Sequence, residues 1–173
     1  GMVGSYVDFG IKTDRNELDI TNFAEVMRVV KRYQPKAIIH LAGISHVGES
    51  WDRRRETFEV NAVGTLVVLE AAAALSPRPR VLVISSADVY GLVADADQPI
   101  TEQHPLRPRS PYGVSKAAAE LLATQACLGD GLEVVVARPF NHIGAGHNPS
   151  FAVSGFARQV ARIELGLQKE LVH

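Results

Sequence analysis

Apolar residues follow two kinds of spacing along this chain, which predicts helices alternating with buried strands. Spacings of three and four residues are typical of one face of a helix, whereas short continuous apolar runs are typical of strands buried in a parallel sheet. Thr21 or Asn22 can cap the first helix, and Pro35 ends it. The helical spacing covers residues 23–33, 51–75, 111–126 and 152–165, and the apolar runs cover residues 37–43, 81–86 and 133–137.

This alternation predicts an α/β fold, a doubly wound, Rossmann-like parallel sheet with helices on both faces. Right-handed crossovers bring the carboxyl ends of all strands to one edge, where ligands bind in open α/β sheets. Four candidate residues fall at that edge or just beyond it, namely Gly43, Ser86, Tyr112 and Asn141. Their convergence from four separate segments predicts a functional site.

The helix that follows Ser110 carries the central candidate pair. Ser110 suits the capping position, and Pro111 suits the first turn. Tyr112 and Lys116 then stand four residues apart on one face. A cation beside a phenol favours the phenolate and lowers a tyrosine pKa that is otherwise about 10, so that the tyrosine can exchange a proton with an alcohol or carbonyl oxygen. A tyrosine and a lysine four residues apart are common by chance, and the other motifs of the chain support a catalytic role for this pair.

Polar residues near the ends of the first two predicted strands are further candidates. Ser86 is placed to hydrogen-bond a substrate oxygen beside Tyr112, although Ser85 and Ser86 would also serve to satisfy loop backbone groups. Asp88 is interpreted either as an acid or base near the site or as a turn residue. His46, in the loop after the first strand, is a candidate ligand contact.

Several other polar residues are predicted to have structural duties. His40, among apolar neighbours in mid-strand, is predicted to be a core histidine with a satisfied hydrogen bond. Asn61 is predicted to brace the strand that carries Ser86, and Cys127 is predicted to be a packed thiol. The three arginines at 53–55 are typical of a solvated helix start rather than of a phosphate site.

Composition and charge narrow the class of protein. The 173 residues, 46% hydrophobic and 21% charged, are enough for one globular domain with a core. A net charge of −1 gives no reason to expect nucleic acid or an acidic membrane as partner, and no apolar run is long enough to predict a membrane span. The single cysteine fits a cytoplasmic location, and the spacing of the histidines predicts no metal site.

Short motifs that occur in order through nearly the whole chain carry a family resemblance. They are Gly1-x-x-Gly4, Asp19-Ile20, His40-Leu41-Ala42-Gly43, Val60-Asn61-x-x-Gly64-Thr65, Ser85-Ser86-x-Asp88-Val89-Tyr90-Gly91 and Tyr112-x-x-x-Lys116. In this combination the chain resembles the extended short-chain dehydrogenase/reductases that act on nucleotide-sugars, the NAD-dependent epimerase/dehydratase family. Residues 45–47 and 138–146 are most similar to the branch of GDP-mannose 4,6-dehydratases and GDP-4-dehydro-6-deoxymannose reductases, and residues 151–166 to the reductases.

The resemblance implies NAD or NADP as cofactor. Asp14 favours NAD by hydrogen-bonding a ribose, whereas Arg15 favours NADP by meeting a 2′-phosphate. Asn141 is implied to bind the diphosphate region of a nucleotide-sugar substrate. His46 and Asp88 are also expected to contact this substrate. The implied cofactor contacts are Gly1 and Gly4 at the pyrophosphate, Asp19 and Ile20 at the adenine, Leu41, Ala42 and Gly43 along the dinucleotide, and Tyr112 and Lys116 at the nicotinamide side.

The two ends of the chain depart from the family pattern. A dinucleotide-binding βαβ unit takes about 30 residues, and residues 1–14 offer far fewer. We therefore expect residues 1–173 to form a partial NAD(P)-binding domain that lacks the first strand and the C-terminal substrate domain. We also expect a gap in the chain near residues 7–11, and a fragment that alone lacks a finished pocket.

The expected activity is NAD(P)-dependent reduction of the C4 keto group of a GDP-4-dehydro-6-deoxy-hexose, with Ser86, Tyr112 and Lys116 as catalytic residues. Dehydratases of the resembling family usually carry a glutamate where Asp88 stands, and Ala87 supplies no second acid, which favours a reductase. A 4,6-dehydratase, a 4-epimerase and a non-catalytic dinucleotide-binding module remain as alternatives.

The two central helices predict self-association. The helices over 57–75 and 112–126 are rich in alanine and apolar around more than one face. One face should cover the sheet, and the other requires burial as well. We therefore expect a homodimer through these helices, a pairing that is also usual in the resembling family.

Overall fold

The computed structural model describes residues 18–169 of the chain. Four predicted cofactor contacts lie outside the described residues, namely Gly1, Gly4, Asp14 and Arg15. The predictions of a missing first strand and of a gap near residues 7–11 also concern residues outside this range. The chain divides into two compact units, for which the structure describes residues 18–140 and residues 141–169. The larger unit contains the described sheet, and the smaller unit contains the last described helix.

Three parallel strands form the sheet of the larger unit, in the order β1 (Ala37–His40), β2 (Arg80–Ile84) and β3 (Val134–Ala137). Strand β2 is central, so that Val81 lies between the two edge strands. Valine and isoleucine dominate these strands because β-branched side chains pack well on a pleated surface. The parallel pairing confirms the predicted α/β class.

Helices flank this sheet. The first begins after Asn22, whose side chain accepts hydrogen bonds from the amides of Ala24 and Glu25, so the predicted cap is confirmed. The helices of the larger unit are α1 (Phe23–Tyr33), α2 (Arg54–Phe58), α3 (Gly64–Ala73) and α4 (Pro111–Leu128), and short 3₁₀ turns cover Glu49–Trp51, Ala87–Tyr90 and Asp95–Asp97. The smaller unit contains α5 (Ala152–Glu164).

The helix that the apolar pattern predicts over residues 51–75 is interrupted. A π-helical turn over Glu59–Val63 separates α2 from α3, and its wider winding accommodates one extra residue. As a result Asn61 inside the turn is buried together with Thr57 before it and Thr65 after it. The turn thus directs polar side chains inward from a helix that the sequence pattern predicts to be regular.

Two clusters of buried apolar side chains share α3. The first packs α3 and α4 against β2, and the second packs α1 against α3. Their buried members are Leu69, Ala72, Val81, Val83, Ala123, Ala126 and Leu132 in the first cluster, and Val26, Val30, Val67, Val68, Ala71 and Leu75 in the second. This packing fixes the position of α4 relative to the carboxyl end of β2.

Two predictions about burial are wrong. The apolar pattern predicts a buried β1, but Ile39 is 56% exposed, because it lies on the face of β1 opposite to Ile38, whose side chain packs against both clusters. Cys127 is exposed rather than packed. It lies beside the face of α4 on which Ala123 and Ala126 turn toward the core. Among residues 18–169, no helix combines the length and the apolar character that crossing a membrane requires.

Truncation of Leu69 should destabilise the fold strongly. Leu69 is 2% exposed at the junction of α3 with the sheet, and removing its side chain leaves a cavity. We expect Leu69→Ala to lower the free energy of unfolding of the intact protein by about 3 kcal/mol in urea denaturation. Leu92→Ala, at a residue that is 77% exposed, is the control and should change it by less than about 0.5 kcal/mol. Equal effects would contradict this description of the core.

Candidate active site

Three predicted residues meet at the carboxyl end of β2. The Lys116 ammonium donates a hydrogen bond of 2.8 Å to the carbonyl oxygen of Ile84, the last residue of β2. The same nitrogen lies 5.9 Å from the centroid of the Tyr112 ring. Ser86, two residues after Ile84, is a hydrogen-bonding partner of the Tyr112 phenol. The structure therefore brings Ser86, Tyr112 and Lys116 together.

Burial decides the protonation state of Tyr112. The residue is 8% exposed. Burial raises the pKa of its phenol above the ordinary value of 10, the hydrogen bond with Ser86 lowers this pKa, and the negative charge of Asp88 raises it. The prediction that the Tyr112 pKa falls below its ordinary value is wrong for this structure, because burial outweighs the contributions that favour the phenolate. At neutral pH the phenol holds its proton.

Burial also weakens two basic groups of this region. It lowers the pKa of Lys116 from 10.5 to about 8. It lowers the pKa of His40 from 6.5 to about 4, and the charge of Lys116 adds to this shift. His40 Nε2 lies 3.1 Å from Thr65 Oγ1, which donates its own proton to the Asn61 carbonyl, so the imidazole is the donor. The prediction that His40 is a hydrogen-bonded core histidine is confirmed.

Side chains from two loops hold the first turn of α4. Ser110 caps the helix as predicted, by accepting a hydrogen bond of 2.9 Å from the Gly113 amide. Ser110 also donates its hydroxyl proton to the Asp88 carboxylate. Gly113 leaves room for that carboxylate, since a Cβ there would lie 2.7 Å from Asp88 Oδ2. Ser50, which sequence reasoning did not single out, accepts a hydrogen bond of 3.2 Å from the Tyr112 amide.

Asn61 holds the loop that follows β1. Its Oδ1 accepts a hydrogen bond of 2.8 Å from the Ile44 amide, and its Nδ2 donates to the Ile44 carbonyl over 3.0 Å and to Ser115 Oγ over 2.9 Å. The prediction that Asn61 braces the strand carrying Ser86 is therefore wrong, because the π-helical turn directs its amide toward this loop and toward α4.

The backbone that follows β1 is open to solvent. Leu41, Ala42 and Gly43 are exposed at the carboxyl end of the strand, which is where cofactors bind in open α/β sheets. A Cβ on Gly43 would lie 2.9 Å from Asn61 Oδ1 and 3.5 Å from Lys116 Nζ. A side chain at this position would therefore crowd the Asn61 amide and the Lys116 ammonium.

The two residues implied to contact adenine both have structural contacts at the start of the described chain. Asp19 Oδ1 accepts hydrogen bonds from the amide and the hydroxyl of Thr21, over 2.9 and 2.7 Å. The side chain of Ile20 packs against Gly64, where a Cβ would lie 2.7 Å from Ile20 Cδ1. Their contacts with a cofactor stay predictions.

The predicted substrate contacts each have their own local surroundings. His46 Nδ1 accepts a hydrogen bond of 3.4 Å from the Glu49 amide, which closes a turn. Asp88 is held by Ser110 at the start of α4. Asn141 is exposed and belongs to the smaller unit. The contacts of His46, Asp88 and Asn141 with a substrate stay predictions.

Two expectations concern ions. Arg53 pairs with Glu56 over 2.5 Å at the protein surface, which confirms a solvated helix start. Over residues 18–169, no group of three or more histidine, cysteine, aspartate or glutamate residues could hold a metal ion.

A buried ion pair behind the site is missed by the sequence reasoning. Arg138 contacts both carboxylate oxygens of Glu120, with N–O distances of 2.6 to 3.0 Å. It also donates hydrogen bonds of 2.9 Å to the Tyr90 hydroxyl and to the Glu102 carbonyl. The hydroxyl of Ser85 donates to the Glu120 carboxylate. The only signal in the sequence is a lone glutamate within an alanine- and leucine-rich helical run.

The family model described as GDP-mannose 4,6 dehydratase matches residues 11–173. The chain belongs to this family. One relative, the GDP-6-deoxy-D-mannose reductase of Pseudomonas aeruginosa, is 48% identical over 134 residues, which cover 78% of this chain and 44% of the reductase. The membership confirms the resemblance that the short motifs carry.

Solved structures similar to this member of the GDP-mannose 4,6-dehydratase family have the same Rossmann-like architecture. The structure of RMD from Pseudomonas aeruginosa complexed with NADPH is 44% identical with a TM-score of 0.79, and the match covers 87% of this chain and 50% of that chain. A dTDP-glucose 4,6-dehydratase from Streptomyces venezuelae with NAD bound is 31% identical with a TM-score of 0.76, over 86% of this chain and 44% of that chain. The chain thus spans half or less of the length of these relatives.

Replacement of Lys116 should stabilise the fold. Because its pKa of about 8 in the folded protein is below the ordinary 10.5, the unfolded chain binds the proton more tightly, and stability falls as the pH drops from 10.5 to 8. This shift corresponds to roughly 3 kcal/mol at pH 7. We expect Lys116→Met to remove this cost and to raise the free energy of unfolding at pH 7 by about 2 kcal/mol. The gain is smaller than the full cost because the Ile84 carbonyl loses its hydrogen-bond donor.

The measurement is urea denaturation of the intact protein at pH 7 and at pH 10. The gain should shrink at the higher pH, where the folded wild-type lysine is already neutral. Lys31→Met, at an exposed lysine of α1, is the matched control and should show neither effect. A loss of stability in Lys116→Met at pH 7 would contradict the assigned burial cost.

Proposed function

We propose that this protein is an NAD(P)-dependent nucleotide-sugar oxidoreductase that reduces the C4 keto group of a GDP-4-dehydro-6-deoxy-hexose. The observation that carries the proposal is the meeting of Ser86, Tyr112 and Lys116 at the end of β2. A buried phenol that keeps its proton at neutral pH is suited to proton transfer to a carbonyl oxygen. The similarity to a GDP-6-deoxy-D-mannose reductase supports the substrate class.

Each of the three residues has a defined duty in this reaction. When bound, the nicotinamide supplies a hydride to C4 of the sugar. Tyr112 donates its phenol proton to the oxygen that becomes the C4 hydroxyl, and the raised pKa keeps that proton in place until it is needed. Ser86 donates its hydroxyl proton to the phenol oxygen and so stabilises the phenolate as it forms. Lys116, 5.9 Å from the ring centroid, stabilises the phenolate that remains after the transfer.

The proposed cofactor is NADP or NAD. The exposed backbone over Leu41, Ala42 and Gly43 supports a dinucleotide at the edge where Lys116 also lies. Similar solved structures carry NADPH in one case and NAD in another. With Asp14 and Arg15 side by side in the sequence, we propose no preference between the two.

The surroundings of Asp88 favour reduction over dehydration. Its carboxylate accepts a hydrogen bond from Ser110 at the start of α4, and Ala87 beside it has no acidic group. Elimination of water requires an acid and a base that are both available to the sugar. A 4,6-dehydratase or a 4-epimerase is the second candidate, supported by the matching family model, and would use the same tyrosine and lysine. In either case we propose His46 and Asn141 as substrate contacts.

A non-catalytic dinucleotide-binding module is the candidate from another class. The burial of Lys116, which lowers its pKa to about 8, argues against it. A buried amine destabilises the fold, and the binding of a dinucleotide by exposed backbone does not require one. The consumption of NADPH by the intact protein in the presence of a keto-sugar nucleotide distinguishes the two classes.

Removal of the Tyr112 hydroxyl should abolish most of the activity. We expect Tyr112→Phe to lower kcat by about 10²- to 10⁴-fold, because the proton donor is lost. The KM for the keto-sugar should stay within about twofold, because the phenyl ring keeps the shape of the site. The assay follows NADPH absorbance with GDP-4-dehydro-6-deoxy-mannose. Tyr33→Phe, on α1, is the matched control, and undiminished turnover in Tyr112→Phe would refute the assigned role.

We also propose a homodimer through the helices that the sequence predicts over residues 57–75 and 112–126. Large apolar side chains remain exposed on these helices in the single chain, namely Phe58, Val63, Val114 and Leu121. Burying an apolar surface of this kind against a second copy contributes roughly 25 cal/mol per Å². The alanine-rich sequences of both helices allow their backbones to approach closely.

Charge placed on this surface should separate the dimer. We expect Leu121→Glu, at a side chain that is 66% exposed, to leave the fold intact and yield a monomer in sedimentation at micromolar concentration. Leu92→Glu, at an exposed leucine outside both helices, is the matched control and should leave the dimer unchanged. A wild-type protein that sediments as a monomer would remove the proposal.

We place the protein in the cytoplasm. Its single cysteine, Cys127, is a free thiol on the surface of α4. An exposed free thiol is suited to a reducing compartment, where it stays unpaired.

A further inference from the structure

The buried ion pair behind the proposed active site has no part in the steps assigned above. Glu120 follows Lys116 by four residues and Tyr112 by eight, so the three side chains lie on one face of α4. The Glu120 side chain is 6% exposed, and the side chain of Arg138 is 21% exposed. Because burying charges removes their hydration, an ion pair of this kind is weak evidence for stability and calls for another explanation.

The Glu120 carboxylate joins α4 to the segments that follow two strands. Arg138, the residue after β3, donates to it over 2.9 and 3.0 Å from Nε and over 2.6 Å from Nη2. Ser85, the residue after β2, is buried and donates its hydroxyl proton to the same carboxylate. One side chain of the helix therefore fixes both segments.

Backbone hydrogen bonds hold Ser86 from both sides. The Ser85 amide donates to the Ala137 carbonyl over 2.7 Å, and the Ala87 amide donates to the Pro139 carbonyl over 3.0 Å. Ser86, between these two bonds, is thus fixed to the end of β3. These backbone bonds do not set the distance between this segment and α4, which depends on three side-chain contacts: Lys116 with the Ile84 carbonyl, Ser110 with Asp88, and Ser85 with Glu120.

That distance decides whether the Ser86 hydroxyl reaches Tyr112. Ser86 Oγ accepts a hydrogen bond of 3.2 Å from the Asp88 amide, which leaves the hydroxyl proton for the phenol. Tyr112 belongs to α4, whereas Ser86 belongs to the segment after β2. The Ser85–Glu120 contact is the side-chain bridge between helix and segment that lies next to Ser86.

We propose that Ser85 and Glu120 are positioning residues, which hold the Ser86 hydroxyl at hydrogen-bonding distance from Tyr112. Arg138 completes the arrangement, because its bonds to both oxygens fix the orientation of the carboxylate and offset its charge. This inference rests on the proposed function, since it assigns these residues to the same proton transfer. Without the bridge, the phenol loses the hydrogen bond that lowers its pKa. A purely structural ion pair would leave that pKa unchanged.

A double-mutant cycle in the intact protein tests the positioning role, with the variants S85A, S86A and S85A/S86A. S85A removes the bridging hydroxyl and leaves the pair of Glu120 with Arg138 in place. We expect S85A to lower kcat about tenfold with little change in KM. In the S86A background, removing the Ser85 hydroxyl should have no further effect on kcat, because no hydroxyl is left to position.

The pH–rate profile supplies a second readout. S85A should raise the apparent pKa of the limb that reports Tyr112, by the same amount as S86A does. S85T retains the hydroxyl and should restore both kcat and the pH profile. If S85A fails to fold in thermal unfolding, S85C keeps the volume with a weaker donor and takes its place in the cycle.

Thr124→Ala is the matched control. Thr124 Oγ1 donates to the Glu120 backbone carbonyl over 2.9 Å, on the same helix but without contact to the carboxylate. Removal of the Thr124 hydroxyl should leave kcat and the pH profile unchanged, although this hydroxyl also contacts Glu120.

Equal losses of kcat from S85A in the wild-type and S86A backgrounds would overturn the positioning role, as would an unshifted Tyr112 limb in S85A. With S86A and Tyr112→Phe both impaired, either result leaves the proposed reductase function intact. Full turnover in S86A or in Tyr112→Phe would instead remove the proposed function, and the positioning role with it.

Discussion

Polar side chains on the buried face of α4 must all find partners, and this requirement organises the site. A buried polar group without a hydrogen bond costs the fold on the order of 1–3 kcal/mol, and a charged group costs more. The partners of three of them lie at or just after the ends of β2 and β3. Tyr112 meets Ser86, Lys116 meets the Ile84 carbonyl, and Glu120 meets Ser85 and Arg138. Because residues four apart face the same way, satisfying one of these groups sets the rotation and the height of the helix for the others.

The electrostatics of this face suit a group that gives a proton. Burial raises the pKa of Tyr112 and lowers the pKa of Lys116 to about 8, so both shifts favour the uncharged forms. A proton that leaves the phenol therefore leaves a phenolate beside an ammonium that is still protonated at neutral pH. The cost of that charge falls when the neighbouring ammonium and the Ser86 hydroxyl stabilise the phenolate. The site is thus arranged around the state that follows proton transfer.

Features decided by neighbouring residues are predictable from the sequence, and features decided by distant ones are not. The caps at Asn22 and Ser110 and the spacing of Tyr112 and Lys116 follow from local rules, and the structure has all of them. The direction of the Tyr112 pKa depends instead on burial, which only the packed helix defines.

Long-range side-chain contacts show the same limit. Asn61 bonds to Ser115, 54 residues later, and Arg138 to Glu120, 18 residues earlier. No spacing rule connects such residues, and their polar character alone does not name the partner. The exposure of Ile39 is likewise set by what packs on its face of the sheet rather than by its own apolar pattern.

The π-helical turn over Glu59–Val63 makes the length of this helical segment as important as its composition. Deletion of one residue there would give an ordinary α-helix with better local geometry. It would also rotate the side chains of α2 by about 100° relative to those of α3. Asn61 would then release the loop after β1. Natural variation in this segment is therefore expected to consist of substitutions at constant length, while the surface loop around Leu92 is free to grow or shrink.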